Sequence, residues 1–157
     1  MKRLILAGLA AVLVGGPALA AESPAEAELT ASLDRFAALV NKGDGPGALA
    51  YFVANPSITE DLAPYHWSGP KAGGEWLNGM AANAEKSGIT DVNMRFMPAT
   101  MVQITGERGY AVIPGELTYT FKDGSKKHAE GHVTFSTQRD AGGWKIETLT
   151  WAWEAAK

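Results

Sequence analysis

Beyond an apolar leader, the spacing of hydrophobic residues along this chain changes once, near Gly88. Before that point they recur three and four positions apart, and after it at every second position. Leu29, Leu33, Phe36 and Val40 share one helical face, and Ser23-Pro24-Ala25-Glu26 reads as a capping box with proline at the first helical position. Asn41-Lys42-Gly43 ends that helix. Asp44 then caps a second, shorter helix with Ala48, Leu49, Tyr51 and Phe52 on its apolar side, and Asn55-Pro56 stops it. Ser57 to Asp61 reads as a short extended piece, and Leu62 to Gly74 as a loop rich in Pro, Gly and aromatics. A third helix carries Trp76, Leu77, Met80, Ala81 and Ala84 on one face and stops at Gly88.

The rest reads as strands. Val92, Met94 and Phe96 alternate with polar residues, Pro98 interrupts them, and Val102 and Ile104 resume in the other phase. Long strands are predicted over Tyr110–Phe121, Lys127–Arg139 and Trp144–Glu154, joined by turns at Lys122-Asp123-Gly124-Ser125 and Asp140-Ala141-Gly142-Gly143. Three helices followed by a four-stranded antiparallel meander imply an α+β fold. Proline and glycine within long strands imply strong curvature, so helices laid over the concave side would enclose a pocket.

The leader has the three parts of a secretory signal: Lys2 and Arg3, the apolar run Leu4 to Val14, and Ala18-Leu19-Ala20 as an A-x-A cleavage site. The run is shorter than the roughly 20 residues that span a bilayer. Residues 1–20 are therefore expected to be a cleaved signal peptide and 21–157 a single domain, periplasmic or secreted and free of the membrane after cleavage. Without Lys2 and Arg3, 12 basic residues face 17 acidic ones, a net charge of −5. That balance argues against nucleic acid as a partner. The chain has no Cys, which excludes disulfides, thiol catalysis and thiolate metal sites.

Two stretches carry a family resemblance. Gly142-Gly143-Trp144-Lys145-Ile146, followed by Thr150-Trp151-Ala152-Trp153, resembles the closing strand of the NTF2-like superfamily, also called SnoaL-like or ketosteroid-isomerase-like. Asp61-Leu62-Ala63-Pro64-Tyr65-His66-Trp67-Ser68-Gly69 resembles a segment of exported members of that superfamily. The resemblance implies a cone-shaped α+β roll, a pocket between helices and sheet, and a homodimer formed through the sheet. It implies no particular activity, because this fold hosts enzymes and non-enzymes alike.

Several residues are candidates for chemistry. Asp61 resembles in position the proton-shuttling aspartate of ketosteroid isomerases. A carboxylate there could move a proton if burial raises its pKa toward neutrality. Tyr51, Tyr65, Tyr110, Tyr119 and His132 are the hydrogen-bond donors that could assist. His66, between two aromatics, is a candidate general base; in the alternative, Trp67 plugs the pocket while His66 faces solvent. His128 and His132 sit on a predicted strand, where four residues span roughly 13 Å, too far to share a metal. No metal or cofactor is implied. Glu116 and His132 are either a pocket pair or exterior groups, depending on which strand face points inward. Trp76, Met80, Trp151 and Trp153 either wall an apolar cavity or fill a core or interface.

The functional expectation is an exported protein that binds a small hydrophobic molecule in its pocket. One alternative is a cofactor-free isomerase or lyase using Asp61. Another is an interaction module that acts through its sheet.

Overall fold

The computed structural model describes residues 23–154; the expected signal peptide lies outside the described residues. The elements are α1 (Pro24–Asn41), α2 (Gly45–Leu49), β1 (Phe52–Thr59), β2 (His66–Ser68), α3 (Ala72–Lys86), β3 (Ile89–Phe96), β4 (Met101–Thr105), β5 (Arg108–Phe121), β6 (Lys126–Asp140) and β7 (Gly143–Trp153). Helices pack on one large sheet, the α+β arrangement that the change of spacing implies. Among the described residues no helix is long and apolar enough to cross a membrane.

The start of α1 is the predicted capping box. Ser23 Oγ accepts from Glu26 N at 3.3 Å, and Ser23 N donates to Glu26 Oε2 at 2.7 Å. At its other end the Asn41 side chain grips the backbone of β3. Asn41 Nδ2 donates to Met94 O at 2.7 Å and Met94 N donates to Asn41 Oδ1 at 2.9 Å. Leu29, Leu33 and Phe36 then bury against the sheet, in one core with Ile113, Val133, Phe135, Ile146 and Leu149.

The sheet has seven strands in the order β2-β1-β7-β6-β5-β3, with β4 also paired to β5. It is mixed, which corrects the expected four-stranded antiparallel meander. The second helix ends at Leu49, and Phe52 opens a strand instead of extending the helix. That strand runs parallel to β7, with Ile58 opposite Leu149, and Ile146 N donates to Tyr51 O at 2.7 Å. It thereby covers a sheet edge that would otherwise expose unpaired backbone groups. His66-Trp67-Ser68, expected in a loop, pairs antiparallel with Ser57-Ile58-Thr59 as β2.

Pro98 splits the next strand into β3 and β4, which both pair with β5. Pro114 lies at the split, where neither provides a Cα partner: β3 ends opposite Gly115 and β4 begins opposite Val112. Its O accepts from Met97 N at 2.9 Å, so its missing N–H falls on the broken side of the ladder, where it costs least.

The register of β7 slips between Ile146, opposite Thr137, and Thr148, opposite Ser136, leaving Glu147 as the extra residue. Trp144 and Ile146 point inward before the bulge; Leu149 and Trp151 are the buried residues after it. One inserted residue therefore moves the last tryptophans onto the concave face.

Gly131 and Gly115 are cross-strand partners in β6 and β5. A Cβ on Gly131 would sit 2.2 Å from Ala152 O and 2.8 Å from Trp153 Cα, whereas one on Gly115 would find its nearest neighbour, Trp153 Cη2, at 3.4 Å. Backbone cannot yield as a side-chain tip can. Gly131→Ala should cost at least about 2 kcal/mol, lowering Tm by about 5 °C or more, while Gly115→Ala should stay within about 0.5 kcal/mol. Thermal melts of the two variants check this.

Candidate functional site

Helix α1 covers only part of the concave face. Past its end, α3 arches over the remainder and a cavity of about 890 Å³ lies between them. Its walls include Leu77 and Met80 from α3, Val92 and Met94 from β3, Leu117, Tyr119 and Phe121 from β5, and Trp151 and Trp153 from β7. Trp151 and Trp153 stack at 4.8 Å between centroids with an angle of 16°, and Phe96 adjoins Trp151 at 5.8 Å. The Nε1 atoms of these two tryptophans are buried without an acceptor.

Glu60 is the most perturbed acid in the cavity. It follows the last residue of β1 and shares the inward phase of Pro56 and Ile58, both buried. Trp76 Nε1 donates to its Oε2. Trp76 itself is locked: it is 1% exposed, stacks on Phe36 at 6.4 Å and meets Phe52 edge-on at 6.3 Å. The donor is thus held in place before any ligand arrives. Burial raises the Glu60 pKa to about 7; the Trp76 hydrogen bond opposes the rise and the charge of Asp61 adds to it. Tyr119 is pushed up to about 12, first by burial and then by the charges of Asp61 and Glu60. Its hydroxyl therefore stays protonated across the physiological range.

The sequence-predicted residues divide by sheet face. Asp61, Trp76, Met80, Tyr119, Trp151 and Trp153 line the cavity. Tyr110, Glu116 and His132 lie on the convex face, because in β5 and β6 the buried positions are Ala111, Ile113, Leu117, Val133 and Phe135. Glu116 pairs there with Arg95 at 2.6 Å rather than with His132, which is exposed. Tyr65 is 61% exposed, with a positive φ of 71°. His66 is exposed and bonds Ser57 Oγ through Nε2 at 3.1 Å. Tyr65 and Tyr110 are thus corrected from pocket groups to surface groups and His66 from a candidate base in the pocket to a surface residue, while of the two alternatives for Glu116 and His132 the structure has the exterior one. Trp67 is buried but packs on α3, where a Cβ at Gly79 would lie 3.8 Å from its Cζ2. Tyr51 faces a separate cleft of about 210 Å³ with Ser32, Arg35 and Lys145.

Glu60 is the residue that the sequence reading missed. The signal was present: Glu60 shares the alternation of Pro56 and Ile58, whereas Asp61 lies in the bend after it, at the exposed margin of the same cavity.

The shifted carboxyl has a consequence for stability. Folded Glu60 keeps its proton up to about 7, while its ordinary value is 4.5. Its contribution is thus full below the ordinary value and is lost as pH rises through the folded one, by roughly 3 kcal/mol at most. Glu60→Gln should remove this loss, so the Tm advantage of the variant over the wild type should widen between about pH 5 and pH 8. A constant difference across that range would contradict the assignment.

No family model and no curated protein sequence matches the chain. Solved structures do. A protein of Novosphingobium aromaticivorans DSM 12444, provisionally named a scytalone dehydratase, superposes with a TM-score of 0.71 at 9% identity, covering 83% of this chain and 85% of that one. The hexachlorocyclohexane dehydrochlorinase LinA-type3 of Novosphingobium barchaimii LL02 gives 0.68 at 11% identity, covering 83% and 87%. An NTF2-like superfamily protein of Salmonella enterica serovar Typhimurium LT2 gives 0.68 at 16% identity, covering 83% and 92%. Likeness at such identities speaks to architecture, and with helices on a large curved, unclosed sheet the architecture is clear: this chain has the NTF2-like, or SnoaL-like, fold.

Proposed function

We propose that this is an exported protein that binds a small, largely apolar molecule in the cavity beneath α3, with Glu60 as the buried polar anchor. One observation carries the reading: an open cavity of about 890 Å³, walled by aromatic and aliphatic side chains, into which one desolvated carboxyl projects. Ligand sites are concave, mostly apolar and furnished with few polar groups. A core built for stability alone would close such a space, since unfilled apolar volume costs free energy.

The position of Glu60 also favours a second reading, cofactor-free proton transfer by an isomerase- or lyase-type enzyme. An acid with a pKa of about 7 can both take and give a proton near neutrality. Tyr119, protonated well above neutral pH, is a hydrogen-bond donor lining the same cavity. In this reading Glu60 takes the role that the sequence resemblance suggested for Asp61. Two of the structural neighbours are named as a dehydratase and a dehydrochlorinase.

Binding is tested with an uncharged hydrophobic fluorescent probe such as N-phenyl-1-naphthylamine and by native mass spectrometry of the protein from its own cells. We expect probe binding and a retained small molecule. Met80→Trp, which fills the cavity from α3, should weaken probe binding about tenfold or more at little cost in Tm. Unchanged binding in that variant would place the probe elsewhere and count against the pocket.

The enzymatic reading predicts a different pattern. With a substrate in hand, Glu60→Gln should lower kcat by about 100-fold or more, and Tyr119→Phe by less. The rate should follow deprotonation or protonation of a group with a midpoint near 7. Equal turnover by wild type and Glu60→Gln would leave binding as the function.

A further inference from the structure

The charges around the cavity are one-sided. Asp44, Glu60, Asp61 and Asp91 contribute to its lining, against Lys127 as the one basic residue among the described residues there. Lys127 is exposed, lies 5.6 Å from the centre of the Phe121 ring, and forms no ion pair with any of these carboxylates. Asp44 is committed in part, since its Oδ1 accepts from Gly47 N at 2.9 Å as the cap of α2. Glu60 has a neutral donor, Trp76 Nε1, on Oε2, and no cation is paired with it.

We propose that the ligand of this cavity is a cation: an apolar molecule bearing one protonated amine, held between Glu60 and Asp61 with its body along the aromatic wall. The proposal rests on the pocket reading above and adds the class of ligand. Three features converge on it. A carboxylate withdrawn from water is costly unless a positive charge approaches it, and among the described residues none pairs with Glu60. The half-buried aromatic residues of the lining, Tyr119, Phe121 and Trp153, suit a cationic head and a flat or aliphatic body alike. An anion entering the same space would face four carboxylates, and a neutral molecule would bring Glu60 at most a hydrogen bond and no charge.

The binding should be linked to pH. The groups that act on Glu60 or share its cavity are Trp76 from α3, Asp61 from the β1–β2 turn, Tyr119 from β5, Lys127 from β6, Asp91 from β3 and Asp44 before α2. Glu60 has its own transition near neutrality, at about 7. A primary amine stays protonated below about pH 9, so amine binding should weaken as pH falls through neutrality and Glu60 takes up its proton.

The test is calorimetric titration of the full mature chain with three probes that share one hydrocarbon: 1-naphthylmethylamine, 1-naphthylmethanol and 1-naphthoate. At about pH 8 the amine should bind about tenfold more tightly than the alcohol, and the acid more weakly than either. At about pH 5.5 the advantage of the amine should shrink several-fold, with the alcohol unchanged. Glu60→Gln should bring the amine close to the alcohol in affinity at both values, the readout being the ratio of the two and not the affinity of either, and the wild-type pH series makes the same test without a variant. Equal binding of amine and alcohol at high pH, or preference for the acid, would overturn the proposal and leave the pocket reading standing. Binding of none of the three would overturn the pocket reading and this proposal with it.

Discussion

Three long neighbouring strands that are apolar on one face impose a debt on this fold. β5, β6 and β7 present Ala111, Ile113, Leu117, Val133, Phe135, Leu149 and Trp151 on the same side. Burying that side is the main source of stability available to a chain without disulfides. A single amphipathic helix cannot cover it. α1 buries Leu29, Leu33 and Phe36 over one part, and the chain must return with α3 to roof the rest. α3 packs against β1, β2 and β3, so it spans the remaining concavity at its margin. The space left beneath it is the cavity. The bulge at Glu147 deepens this effect, because it turns Trp151 and Trp153 into a region that α1 does not reach.

The chemistry of the site follows from where β1 ends. As a parallel partner of β7, β1 is fixed in register, with Thr59 opposite Thr150. Its alternation brings Pro56 and Ile58 inward and sends Glu60 to the edge of the cavity. The roof supplies the Trp76 indole, clamped by Phe36 and Phe52, as donor to that carboxyl. One neutral hydrogen bond does not offset the loss of hydration by a charge, and Asp61 beside it makes ionisation harder still. The protein thus holds an acid near its transition at neutral pH inside an apolar enclosure. That arrangement lowers stability in the ionised state, and such costs collect at functional sites.

Much of the architecture was legible in the chain. The capping box at Ser23, the helical face of Leu29, Leu33 and Phe36, the Asp-Gly hairpin and the alternation of the last three strands each follow from local rules. The two glycine-tryptophan stretches pointed to the fold as a whole. What escaped was decided by partners distant in sequence. Phe52 fits a helix face as well as a strand; pairing with β7, about ninety residues away, selects the strand. The bulge at Glu147 has no strong local signature, and it sets which way the final tryptophans point. Asp61 was favoured by position alone, whereas the phase of Ile58 identifies Glu60. His66 and His132 attracted notice as residue types, but the pleat turns both toward solvent.

The central claim is that Glu60 sits in an apolar cavity as an acid that exchanges its proton near neutrality. The direct measurement is a carbon-13 NMR titration of the side-chain carboxyls in protein labelled at glutamate, with the Glu60 signal assigned by its loss in Glu60→Gln. The account predicts a midpoint near 7 for that one resonance. A midpoint at the ordinary carboxylate value of about 4.5 would contradict it, for the side chain would then be hydrated and the cavity would lack its anchor.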